Sequence, residues 1–428
     1  MIKKIIETIS ARFLHALINF FILVIISRSL GSEGLGLLGL VILNTTLILL
    51  FVDLVGGGAL IYFTPKKNDR ALWLISILWT LFSITMIIVV GSVFERISFF
   101  KEHILPDGYW YYTIFLVFVM TINQINYSFL IGKQMIREYS LIYSIHIILL
   151  LFGVLILFYG FEIISVESFI IAEYIALSIS IIIGWFFLVP VFDKKEVCEY
   201  IPLFKEMFHY SAFGQSSNAL TIINKRFSFY VINASLGLAS LGVFNIALQL
   251  TEGLRLIGSS ISTVQYSKIV NEGDNDNSIL LTLRLLKLTI LITSFALCLL
   301  LVLPNVLYVS LFGEEFSEIK IVVLSLSLGV VALSGNMILS HFFSGIGLPK
   351  YTFWASFVGV VVTIILLFYL IPMYGYVGAG ITASCAYSTS FVFLLYSFML
   401  RSKLSLRDLF LTKNDVAFLK AKISNRMD

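Results

Sequence analysis

Arg12, His15 and Asn19 fall at i, i+3 and i+7 of one apolar run, so a helix there carries them as a single stripe. Ser211, Gln215, Asn218 and Lys225 form a second stripe. Asn245, Gln249, Glu252 and Ser259 form a third, with Arg255 at its edge. Cations placed this way hold an anion, phosphate above all, through charge-assisted hydrogen bonds, and Arg does so with two prongs. Arg12, Lys225 and Arg255 are therefore the candidate anion ligands, with His15 on the stripe of the first. Asn19, Asn123, Asn126, Gln215 and Asn218 are amides suited to neutral hydrogen-bonding groups beside that charge. Asp53 and Glu173 read as isolated acids, and with Glu252 they are the candidate carriers of a proton or an ion.

Each of these residues also has a purely structural alternative. Arg12 lies near enough to a span end to snorkel to the interface. Arg28, at the opposite end of the same run, reads as an anchor. Lys225 and Arg226 are adjacent and so point about 100° apart on a helix, which keeps both from one ligand. Glu252 and Arg255, three residues apart, are close enough to neutralise each other. His146 and His341 read as satisfied interior histidines.

The elements that must position these groups are membrane spans. The 428 residues are 59% hydrophobic and 13% charged, with a mean hydropathy of +0.99; a soluble domain is about 25% charged. Apolar stretches of the roughly 20 residues needed to cross a bilayer recur along the chain. They are continuously apolar and not alternating, which excludes a β-barrel. Twelve spans are expected, at 10–29, 36–62, 70–94, 109–131, 139–159, 166–189, 209–232, 240–265, 282–311, 319–344, 351–371 and 376–399. The first begins like a signal peptide, but Arg12, His15 and Asn19 interrupt it and Ser27-Arg28-Ser29 is no cleavage site, so it reads as a retained helix. With the N-terminus inside, 22 Lys/Arg fall in inward segments against four in outward loops, Arg28, Arg96, Lys101 and Lys320. That bias places both termini in the cytoplasm. The basic excess then faces anionic lipids, and nothing points to nucleic acid.

Cys198, Cys298 and Cys385 are odd in number and carry no metal-type spacing, so neither a disulfide framework nor a metal site is expected. No GxxxxGK[ST] is present, and no cofactor is implied. Gly34, Gly36 and Gly39 spell GxGxxG, yet they open a membrane helix and follow no strand, so the dinucleotide meaning fails.

The chain repeats itself. SLGSEGLG from Ser29 returns as SLGLASLG from Ser235, 206 residues on. Gly31 and Gly34, like Gly237 and Gly242, would permit a tight turn and close helix approach. FLIGKQMIREY from Phe129 sits where FSGIGLPKY from Phe343 sits, and YGFEIISVESFIIAEY from Tyr159 where YGYVGAGITASCAY from Tyr374 sits. The shared order indicates duplication. Residues 1–190 and 209–400 read as six-helix bundles related by a pseudo-twofold axis along the membrane normal. The stretch 191–208 links them, and 401–428 is a basic amphipathic cytoplasmic tail.

SRSLGSEGLG after an apolar first span, twelve spans, and FSGIGLPKY before the eleventh resemble the Wzx-type polysaccharide flippases. These are members of the multidrug/oligosaccharidyl-lipid/polysaccharide (MOP) exporter superfamily. The resemblance covers about residues 1–400. It implies two bundles around a cationic cavity and transfer of an undecaprenyl-diphosphate-linked oligosaccharide to the outer leaflet of a bacterial inner membrane. O-antigen or capsule synthesis would be the setting. A polysaccharide polymerase and other assembly proteins would be partners, membrane lipids the surroundings, and a monomer sufficient. Alternating access would rock one bundle against the other, with Gly56, Gly57 and Gly58 as a hinge or a packing contact. A multidrug cation antiporter of the same superfamily would favour acids over bases in its cavity. A membrane-embedded polymerase or ligase would need a longer outer loop than 95–108.

Overall fold

The computed structural model describes residues 2–94, 104, 108–192, 199–272 and 275–409, the side chains of 2–15, 94, 213, 214, 217, 263, 264, 267, 270–272 and 406 excepted. Among them there are helices and no strand. That is the outcome expected where no water is available to backbone groups, since a helix satisfies its own N–H and C=O. The α-helices are α1 (Ile2–Val52), α2 (Gly57–Phe63), α3 (Asp69–Phe94), α4 (Trp110–Gly132), α5 (Ile136–Leu155) and α6 (Val166–Leu188). They continue with α7 (Tyr200–Glu272), α8 (Asp276–Val302), α9 (Asn305–Phe312), α10 (Ile319–Gly345) and α11 (Lys350–Ser402).

Among the described residues, nine helical stretches are long and apolar enough to cross a membrane, which makes this a multi-pass membrane protein. Three of them, Ala16–Phe63, Asn218–Ser262 and Lys350–Ser402, run for 48, 45 and 53 residues, more than twice the ~20 residues of one crossing. Each is broken by a glycine in the left-handed region: Gly31 (φ 68°), Gly237 (φ 82°) and Gly375 (φ 60°). An L side chain is strained there, so glycine sets where the chain turns.

Contacts divide the chain into two compact units. The first comprises Met1–Asn245 with Val309–Phe316, the second Ile246–Tyr308 with Ser317–Asp428. In the first unit the two octets pack on each other reciprocally. A Cβ on Gly36 would lie 2.0 Å from the Leu238 carbonyl oxygen, and one on Gly242 would lie 1.9 Å from that of Ser32. Ser32 and Leu238 hold the same place in their octets, as do Gly36 and Gly242, so this contact has local twofold symmetry. Gly36, not Gly34, is thus the glycine of close approach in the first copy. The atoms nearest a Cβ on Gly34 are those of Leu30, in its own turn.

Leu60, Leu72, Phe129, Leu130 and Met207 form part of a buried core in the first unit. Beside it Lys133 Nζ meets the fully buried Asp69 carboxylate at 2.6 Å. In the second unit α10 and α11 close through small residues. Ser384 Oγ donates to the Ser325 carbonyl at 2.6 Å and accepts from Gly329 N at 3.1 Å.

The second repeated segment is matched in geometry. After α4, Lys133, Gln134 and Met135 N–H bond the carbonyls of Phe129, Ile131 and Leu130. After α10, Ile346, Gly347 and Leu348 bond those of Phe342, Ser344 and Phe343 in the same pattern. Gln134 (φ 60°) and Gly347 (φ 78°) hold the left-handed position of both caps. The register is Phe129 with Phe342. The third pair of segments diverges: Gly375 breaks α11, whereas a π turn at Ile156–Gly160 and a Ser165–Ser168 capping box lead into α6.

Candidate functional site

The first unit contains a cavity of about 280 Å³ walled by α1, α4, α5 and α6. Its polar lining is Asn19, Thr45 and Thr46 from α1, Tyr143 and His146 from α5, and Glu173 from α6; Leu38, Leu116, Ile147 and Phe169 are among the apolar walls. Helix spacing explains the supply. Tyr143, His146, Ile147 and Leu150 recur at i, i+3, i+4 and i+7 and present one face of α5, while Phe169, Ile170 and Glu173 line the space from α6.

His146 Nε2 lies 3.2 Å from Glu173 Oε1, with the two side chains only 13% and 14% exposed. Glu173 is therefore not the isolated acid its sequence neighbourhood indicates. Its partner comes from the preceding helix. The second oxygen, Oε2, is buried with no hydrogen bond, so the carboxylate keeps capacity for one more proton or ligand. Thr45 and Thr46 donate to carbonyls four residues back, at 2.8 and 2.7 Å, which leaves their oxygens as acceptors toward the space. Asn19 is exposed and lines the same cavity.

Asn123 lies elsewhere. It is 3% exposed, and its Oδ1 accepts from Ser180 Oγ at 3.0 Å, next to Tyr127, between α4 and α6. Asn126 likewise donates to the Ile181 carbonyl at 3.2 Å. Both amides join helices.

Three other candidates do meet. Asp53 sits at the corner where α1 ends before Gly57, itself left-handed at φ 46°. Gln215 Nε2 reaches the Asp53 carbonyl at 3.5 Å, and Asn218 Nδ2 donates to Gln215 Oε1 at 3.3 Å. Asp53 Oδ1 is buried without a hydrogen bond. Lys225 is half-buried on α7 in the first unit. Glu252 and Arg255 are half-buried on the part of α7 that belongs to the second. Arg255 Nε is buried with no acceptor. Arg12 and His15 lie on α1, outside the described side chains. Among the described residues no group of His, Cys, Asp and Glu could hold a metal ion.

Sequence reasoning passed over Tyr143, Thr45 and Thr46 and took His146 as a satisfied interior histidine, without naming Glu173 as its partner. The available signal was Tyr139, Tyr143 and His146 at i, i+4 and i+7 on one apolar helix.

A model of the polysaccharide biosynthesis protein family matches residues 1–266. The capsular polysaccharide biosynthesis protein CapF of Staphylococcus aureus is 23% identical over 410 residues, covering 92% of this chain and 98% of that one. Among solved structures, the lipid II flippase MurJ in an inward closed conformation superposes with a TM-score of 0.75 at 20% identity, over 98% of this chain and 96% of that one. An inward-facing multidrug resistance MATE family transporter of the MOP superfamily superposes with a TM-score of 0.65 at 15% identity, over 91% and 94%. These likenesses show the fold.

Proposed function

The chain belongs to the polysaccharide biosynthesis protein family, and from that premise we propose that it is a flippase for a lipid-linked oligosaccharide. The cargo would be an undecaprenyl-diphosphate-linked repeat unit, carried from the cytoplasmic to the outer leaflet for capsule, O-antigen or exopolysaccharide assembly. Nine membrane-length helices with three glycine breaks support a twelve-span chain with both termini inside. The reciprocal octet contact and the paired caps after α4 and α10 support duplicated halves working by alternating access.

The observation that carries the anionic cargo is Arg255. A guanidinium cannot shed its charge, and a buried donor without an acceptor is costly. A diphosphate would supply two acceptors to that fork. Lys225 and Arg12 are the further cations of the proposal, with Gln215 and Asn218 as sugar contacts. Replacing Arg255 with Ala should cut surface polysaccharide at least tenfold at equal protein level, with Arg255→Lys falling between. Undiminished output from the Ala variant removes the phosphate role.

The His146–Glu173 cavity is the proposed coupling site. Calcium would need six or more oxygens, whereas one proton needs only Glu173 Oε2, so a proton is the favoured ion. The same cavity is the one observation that favours a cation antiporter. Drug resistance conferred on a pump-deficient strain, without loss of polysaccharide on deletion, would establish that reading instead.

A further inference from the structure

Arg28 and Glu315 are 287 residues apart and tie the same two pieces of chain together. The short helix α9 ends at Phe312, and its last carbonyls have no intrahelical donor. Arg28 Nε donates to the Leu311 carbonyl at 3.0 Å, and its Nη2 donates to that of Ser310. The guanidinium thus caps the negative end of α9. In return, Glu315 Oε2 accepts from Ser32 N at 2.7 Å. Ser32 carries the first N–H after the break at Gly31, the positive end of the second segment of α1. Each charge therefore sits on the helix end of opposite polarity, in the other piece of chain.

The fit around this clasp is close. A Cβ on Gly31 would stand 3.0 Å from Glu315 Oε2. Phe312 is 1% exposed and packs edge-on against Phe20, with ring centroids 6.2 Å apart. Yet both charged side chains are exposed, and every polar contact is one that water can replace. The clasp also lies where the chain changes allegiance: Val309–Phe316 belongs to the first unit, while the residues on either side of it belong to the second.

We propose that Arg28 and Glu315 form a latch on the outward face, closed in this structure, which must release before cargo can leave to the outer leaflet. The proposal rests on the flippase reading. Helix-end caps suit a latch because they close with full geometry and open without stranding a buried charge.

A crosslink tests it. Ser32→Cys with Glu315→Cys, in a chain whose Cys198, Cys298 and Cys385 are replaced by Ser, places two thiols at the clasp. Translocation of undecaprenyl-diphosphate-linked oligosaccharide is measured in reconstituted vesicles, oxidised and then reduced. The oxidised protein should slow at least tenfold and recover on reduction. Unchanged transport with the crosslink complete, or failure of the crosslink to form, overturns the latch. If the reduced protein and the wild type both fail to translocate, the cargo assignment falls instead.

The latch is then decided by a readout independent of cargo. Ser32 is 7% exposed, and a single Ser32→Cys should react at least fivefold faster with an impermeant maleimide when Arg28→Ala and Glu315→Ala are added. An unchanged labelling rate overturns the latch whatever the cargo is.

Discussion

At the scale of single residues, Asp69 is the most severe commitment in the fold. Its carboxylate is fully buried and held by Lys133 at 2.6 Å, across from the start of α3 to the end of α4. Removing one member of such a pair leaves a charge in an apolar setting, at a cost of roughly 3–5 kcal/mol, whereas neutralising both is often tolerated. Lys133→Met should therefore lower the apparent Tm in detergent steeply, and Asp69→Asn added to it should recover most of the loss. A double variant no better than the single would show that the ion pair is not what the site needs. Neither this pair nor His146–Glu173 was legible in the sequence. Spacing along one helix tells which residues share a face. It does not tell how a neighbouring helix is rotated, and spans apolar on every side leave no polar face to reveal it. Asn123 shows the reverse case. An amide inside a span reads as a ligand for cargo, but helix packing supplies polar partners too.

At the scale of elements, the octet was legible because its constraint is local. A left-handed turn asks for glycine, and two copies of the motif ask for it at Gly31 and at Gly237. Which glycine allows close approach was not legible, since that depends on what lies opposite. The reciprocal contact makes a symmetric prediction. Gly36→Ala and Gly242→Ala place a methyl about equally far inside van der Waals distance of a carbonyl, 2.0 and 1.9 Å away. Overpacking of this kind costs about 1–3 kcal/mol, so both variants should lower the apparent Tm by similar amounts. Gly253→Ala meets nothing within 4 Å and should gain about 0.5–1 kcal/mol of helix propensity instead. Unequal losses at Gly36 and Gly242 would mean that the twofold is geometric but not energetic. The third pair of segments differs in geometry, a glycine break in α11 against a capped helix start in α6.

At the scale of the whole molecule, composition alone was enough for a multi-pass helical protein, because lipid leaves a chain of +0.99 mean hydropathy few other folds. Under the proposed flippase reading, the drive would come from proton exchange at one buried acid. Glu173 is set apart by lining a cavity together with His146. Among the described residues lining the space, His146 from α5 is the titratable group beside it, with neutral Asn19, Thr45 and Tyr143 around them. The Glu173 carboxylate is tied to His146 of α5 by a 3.2 Å contact. Protonated, it has a hydrogen to donate into the cavity, and the tie to α5 is weakened. A carrier of this kind links a proton gradient to the packing of α5 against α6. Glu173→Gln fixes the side chain in a neutral form of nearly the same shape. In reconstituted vesicles it should abolish the response of translocation to an imposed proton gradient, while downhill exchange of lipid-linked oligosaccharide continues within about threefold of wild type. Asp53→Asn should leave the gradient response in place. If the Glu173 variant still follows the gradient, coupling resides elsewhere and the cavity is structural. Loss of exchange together with coupling, in a folded protein, would make Glu173 part of the transport path itself.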